Sequence, residues 1–67
     1  MEIGDIVMFV DTGRYAQWFF GQLGRVKRFT PTAADGKAYC HIEWLQPVKY
    51  FDSDVTVSNF SADKFEG

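Results

Sequence analysis

The chain has 67 residues, a formal net charge of −2, one cysteine and one histidine, a size that supports one domain, residues 1–67, around one small core. Cys40 has no second cysteine to pair with, and one Cys with one His cannot fill a four-ligand zinc site, so neither staple is expected. No run of about 20 apolar residues exists to cross a bilayer, which leaves aromatic packing, from 18% Phe, Tyr and Trp, to build the core.

The opening Met1-Glu2-Ile3-Gly4-Asp5 lacks a basic region followed by an apolar stretch, which argues against a secretory signal. An unpaired thiol fits a reducing compartment, so the expected location is cytoplasmic. The first strand is read over Ile3–Val10, rich in Ile, Val and Phe and stopped by the turn-forming Asp11-Thr12-Gly13. Ile3, Val7 and Phe9 share one face of it and Ile6, Met8 and Val10 the other. A strand apolar on both faces belongs in a barrel seam or meets a neighbour.

Residues 14–20, Arg-Tyr-Ala-Gln-Trp-Phe-Phe, form an aromatic stretch between Gly13 and Gly21. It reads as a long loop with an extended or single-turn piece. Gly21-Gln22-Leu23-Gly24 then bends the chain into a second strand ending near Phe29, which Pro31 stops because proline cannot donate to a ladder. Thr30–Lys37, with Pro31 and Asp35-Gly36, reads as a hairpin connection.

The third strand, Ala38–Leu45, has the clearest alternation. Cys40, Ile42 and Trp44 lie on one face, expected inward, and Tyr39, His41 and Glu43 on the other. Pro47 is expected to limit its length. Residues 48–66 carry two patterns. Val48, Phe51, Val55, Ala62 and Phe65 partly fit a helical spacing, whereas Asp52–Asn59 mixes β-branched residues with side chains that compete for the backbone. The reading adopted ends a strand at Tyr50, places a short strand at Val55–Ser58 and one Ser61-capped helical turn at Ser61–Lys64, and lets Phe65 close the sheet.

This order of elements resembles SH3-like barrels. Gly4-Asp5-x-Val7 opens the first strand, Gly21-x-x-Gly24-x-Val26 the second, Glu43-Trp44 marks the third, and Phe60-Ser61-Ala62-Asp63-Lys64-Phe65 is similar to the last turn and strand of that fold. The resemblance implies an all-β fold, a small SH3-like barrel of about five strands with a long first loop and one short helical turn near the C-terminus. Similar glycine-hydrophobic patterns occur in KOW-type ribosomal and transcription modules and in short repeats of some ubiquitin ligases. The segment Trp44–Phe51 is also similar in texture to short proteins encoded by marine tailed phages, which would imply a structural or scaffold role. Shared fold does not transfer activity.

Little in the chain reads as catalysis, and an enzyme is not expected. Cys40 and His41 are strand neighbours on opposite faces and cannot act together as nucleophile and base. His41 and Glu43 share a face, but an exposed strand His near a carboxylate is commonplace. Asp52-Ser53-Asp54 lacks the further ligands and glycine of a calcium loop and reads as a turn. No phosphate-cradling loop or dinucleotide fingerprint occurs, and no cofactor, metal or small-molecule substrate is implied.

Two binding readings remain. The leading one is a non-catalytic protein-binding or self-associating module that presents Tyr15, Trp18, Phe19 and Phe20 between its first two strands as a groove of rings. The alternative is weak nucleic-acid binding. The net charge is −3 over residues 1–13, +4 over 14–37 and −3 over 38–67, and the basic middle interleaves Arg14, Arg25, Lys27 and Arg28 with Tyr15, Trp18, Phe19 and Phe29. An overall pI near 5.1 weighs against that alternative. The exposure of Tyr15, Trp18, Phe19, Phe20 and Phe51 separates a binding surface from a barrel cap.

Overall fold

The strongest alternation in the sequence becomes the longest strand. The computed structural model describes residues Met1–Gly67. It places strands β1 at Ile6–Phe9, β2 at Leu23–Thr30, β3 at Tyr39–Tyr50, β4 at Ser53–Ser61 and β5 at Phe65–Glu66. A single α-helical turn, α1, covers Ala16–Phe19, and a 3-10 turn covers Ala62–Lys64. The protein is all-β: the strands form one antiparallel sheet in the order β4-β3-β2-β1-β5. No helix is long and apolar enough to cross a membrane.

On β3, Cys40, Ile42 and Trp44 are buried as expected, and Val48 joins them. The strand continues through Pro47 instead of stopping there. The reason lies in the ladder. Glu43 pairs with Val57 and Val48 with Val55, so residues 44–47 of β3 face a single residue of β4. At such an irregularity a missing N–H costs no ladder bond. A second irregularity sits between Val26 and Arg28 on β2. It resets the alternation there: Val26 opposes Ile42 on the inner face, Phe29 opposes Cys40 on the same face, and Arg28 is turned out opposite His41.

The first strand is shorter than expected. Ile3 is exposed in the turn before it, and only Val7 and Phe9 of its two apolar faces are buried. Gly24 explains how β2 lies so close to β3. A Cβ at this position would overlap Ile42 Cγ2 and press on Trp44 Cε3 at 3.3 Å, so only glycine lets the two strands pack there.

Nine buried apolar side chains make the core: Val7, Phe9, Phe19, Val26, Cys40, Ile42, Trp44, Val48 and Phe65. Phe9 is its hub, with ring centroids of Phe60 at 5.0 Å, Phe65 at 5.4 Å, Phe19 at 5.8 Å and Trp44 at 6.5 Å. Tilted and edge-on ring pairs of this kind contribute about 0.5–1.5 kcal/mol each beyond their buried area. β5 completes the arrangement as expected: Phe65 pairs with Phe9 of β1, and its ring reaches Phe60 of β4 at 6.2 Å. Ser61 precedes the 3-10 turn, but its hydroxyl donates to Asp63 Oδ1 at 2.6 Å and makes no cap to the backbone.

Cys40 is 1% exposed, and desolvation pushes its thiol up to about 11. Reaction needs the thiolate. A disulfide-exchange reagent at pH 8 is therefore expected to leave Cys40 untouched in the folded protein and to label it fully in denaturant, followed by absorbance of the released thiol. Stoichiometric labelling of the native protein would contradict this core.

Candidate functional site

The aromatic stretch between β1 and β2 divides sharply once folded. Phe19 N–H donates to the Tyr15 carbonyl at 3.1 Å and Phe20 N–H to that of Ala16 at 3.0 Å, which closes α1. Residues one turn apart share a face, so Tyr15 and Phe19 both turn inward. The Phe19 ring stacks on Trp44 at 5.2 Å and is only 3% exposed. Phe19 is therefore a core residue and presents nothing to a partner. The single turn puts it one face away from Trp18. Tyr15 is half-buried, with its ring 5.3 Å from Phe60 and Arg14 Cζ 5.7 Å above it. Phe20 has left the helix and is 54% exposed.

Trp18 is half-buried against the edge of the same core and meets two rings that come from far along the sequence. Tyr50 and Phe51 stand at the tip of the β3–β4 hairpin, where Tyr50 pairs with Ser53 and only Phe51-Asp52 make the connection. The three centroids form a near-equilateral cluster: Trp18 to Tyr50 4.7 Å, Trp18 to Phe51 4.8 Å, Tyr50 to Phe51 4.6 Å. Tyr50 anchors it, since its ring also lies 5.7 Å from buried Phe19. Phe51 forms its outer edge and is 66% exposed.

Phe51 also adopts φ +54, the only non-glycine residue of the chain with a positive φ. The other left-handed positions are Gly4, Gly21 and Gly36. A bulky side chain there costs on the order of 1–3 kcal/mol, and two-residue hairpins ordinarily place Gly, Asn or Asp at such a position. The chain thus carries a large apolar ring, mostly in solvent, at a backbone position that suits glycine.

The cations do not gather as the sequence order implies. Arg14 lies in the first loop over Tyr15, while Arg25, Lys27 and Arg28 project from the outer face of β2. Lys27 approaches the Glu43 carboxylate at 4.0 Å, with both groups about half exposed; such pairs contribute little. Tyr15, Phe19 and Phe29 lie against the core on the opposite side of the sheet from the three β2 cations, so only Arg14 sits over a ring and the others form no interleaved platform with them. His41 and Glu43 do not pair with each other. The His41 Nδ1 lies 3.0 Å from Asn59 Oδ1, and Glu43 turns to Lys27. In the β2–β3 connection the Tyr39 hydroxyl donates to Asp35 Oδ2 at 2.6 Å, and this bond, helped by the Lys37 N–H, holds the Asp35 carboxyl below the usual carboxylate range. No three His, Cys, Asp or Glu side chains converge on one point.

The sequence reading places Trp18 in this site but misses Tyr50 as its base. The only available signal is the pair Tyr50-Phe51 ahead of Asp52-Ser53, and it carries no turn glycine to mark a hairpin. No family model, no curated protein and no solved structure matches this chain.

Proposed function

We propose that the protein is a non-catalytic, SH3-like binding module that holds a segment of another protein against the ring cluster of Trp18, Tyr50 and Phe51. The meander order β4-β3-β2-β1-β5, the long first loop and the 3-10 turn before the last strand support the SH3-like reading. One observation carries the functional reading: Phe51 keeps its ring exposed at a backbone position with φ +54. Strained backbone positions of this kind cluster at ligand clamps, active sites and switch regions. Aromatic rings with a rigid base serve well as interface anchors, because few rotors are frozen on binding.

Selection from a random peptide library displayed on phage tests this reading. Enriched peptides are expected to bind the native protein and to lose about 30-fold or more in affinity on Trp18→Ala, measured where circular dichroism shows the variant still folded, since the half-buried Trp18 also packs on the core edge. Peptides that bind Trp18→Ala as well as the native chain would refute it. A single-stranded oligonucleotide at low salt is the matching control. Salt-sensitive binding that is lost on changing Arg25 and Arg28 together would favour the outer face of β2 and nucleic acid instead.

A further inference from the structure

The sheet has two edges, and they are treated differently. β5 is two residues long and offers almost no template. β4 runs for nine residues and hydrogen-bonds only to β3. None of the backbone bonds formed outside the regular ladders involves residues 53–61. One side of β4 therefore presents a row of free N–H and C=O groups.

Proteins usually blunt such an edge with charged side chains, proline, bulges or shortness; β4 has one charge, Asp54, near its start, and the irregularity opposite Thr56 belongs to β3. Here none of the seven Lys and Arg residues, neither of the two prolines and none of the six glycines lies between Ser53 and Ser61. The run Val55-Thr56-Val57-Ser58-Asn59-Phe60-Ser61 has no charge, and Val57 at the midpoint is 47% exposed. An open backbone edge is satisfied by another extended strand, and an antiparallel edge fits its own copy by a two-fold axis.

We infer that β4 is the interface of a homodimer in which two copies pair antiparallel about Val57, joining their sheets into one. In this register Val57 faces its own copy, Thr56 faces Ser58, Val55 faces Asn59 and Ser53 faces Ser61. Small hydroxyl pairs and β-branched pairs are favourable across strands. The strand's one charge, Asp54, faces Phe60. Its symmetry mate lies six residues along the strand, roughly 20 Å away at about 3.3 Å per residue. That exceeds the screening length of about 8 Å at physiological salt, so the paired strands themselves bring no like charges together. This surface is separate from the ring cluster, and either can fail without the other.

Charge introduced at the two-fold tests the inference. The native protein is expected to sediment as a dimer at the concentrations of an NMR sample, and exchange of the β4 amides should slow as concentration rises. Val57→Lys places two ammonium groups face to face and Val57→Glu two carboxylates; each variant alone is expected to be a folded monomer. Mixing the two restores a dimer of one copy of each. A native protein that stays monomeric overturns the inference. So does a dimer that survives both substitutions, or one that Phe51→Gly abolishes, since its interface then lies at the ring cluster.

Discussion

Replacing Trp44 with alanine is expected to unfold the protein. Trp44 is 4% exposed, stacked on Phe19 at 5.2 Å and tilted against Phe65 at 6.1 Å, and its indole N–H donates to Ser58 Oγ at 3.0 Å. Truncating a buried tryptophan costs about 3–5 kcal/mol. A domain of this length has about 3–10 kcal/mol in total. The loss therefore takes most of the stability, and the remaining hydroxyl of Ser58 adds to it by losing its donor. Far-UV circular dichroism and urea titration check this, with Trp18 left as the fluorescence reporter. A cooperative transition near the native midpoint would mean that the inner face of β3 is not the core.

Phe51→Gly is expected to do the opposite: keep the fold and remove binding. Relief of the left-handed backbone returns on the order of 1–3 kcal/mol. Glycine's greater freedom in the unfolded chain takes back about 0.5–1 kcal/mol. The ring contacts to Trp18 and Tyr50 are those of a side chain 66% in solvent, so losing them costs less than the roughly 0.5–1.5 kcal/mol that each buried aromatic pair contributes. The sum is near zero or stabilising, whereas removing a structural phenylalanine from a core costs about 3–5 kcal/mol. Peptide affinity, by contrast, falls by about 30-fold or more when an interface anchor is lost. No ordinary surface residue shows that combination.

How much of this is legible in the sequence follows from which rule governs each residue. Cys40, Ile42 and Trp44 obey a strict period of two with one apolar face, and the core face of β3 can be read directly. On β2 the same rule breaks, because the irregularity after Val26 lets both Val26 and Phe29 face inward at an odd spacing of three. On β1 both faces read as apolar, and composition alone cannot say that Ile6 ends 43% exposed opposite Arg25. Pro47 misleads for a related reason: its effect depends on whether a neighbour needs its N–H, which is a property of register and not of the residue.

The candidate site was half legible. Trp18 is conspicuous in an aromatic run between glycines, but its neighbours in sequence do not share its fate. A single helical turn sends Phe19 into the core and Phe20 into solvent. Tyr50 and Phe51 come from 32 and 33 positions further along the sequence, and the hairpin that delivers them has phenylalanine where turn chemistry calls for glycine. The feature that hides the hairpin from sequence rules is the feature that marks it in the structure. Local rules and the final fold disagree most at positions where function has a claim.

The stability of Phe51→Gly decides the matter most directly. Paired urea denaturation of the native chain and the variant is expected to give equal midpoints or a higher one for glycine, showing that the fold does not depend on the ring. A loss of more than about 2 kcal/mol, in the range of a buried aromatic side chain, would contradict this account and return Phe51 to the packing of the hairpin.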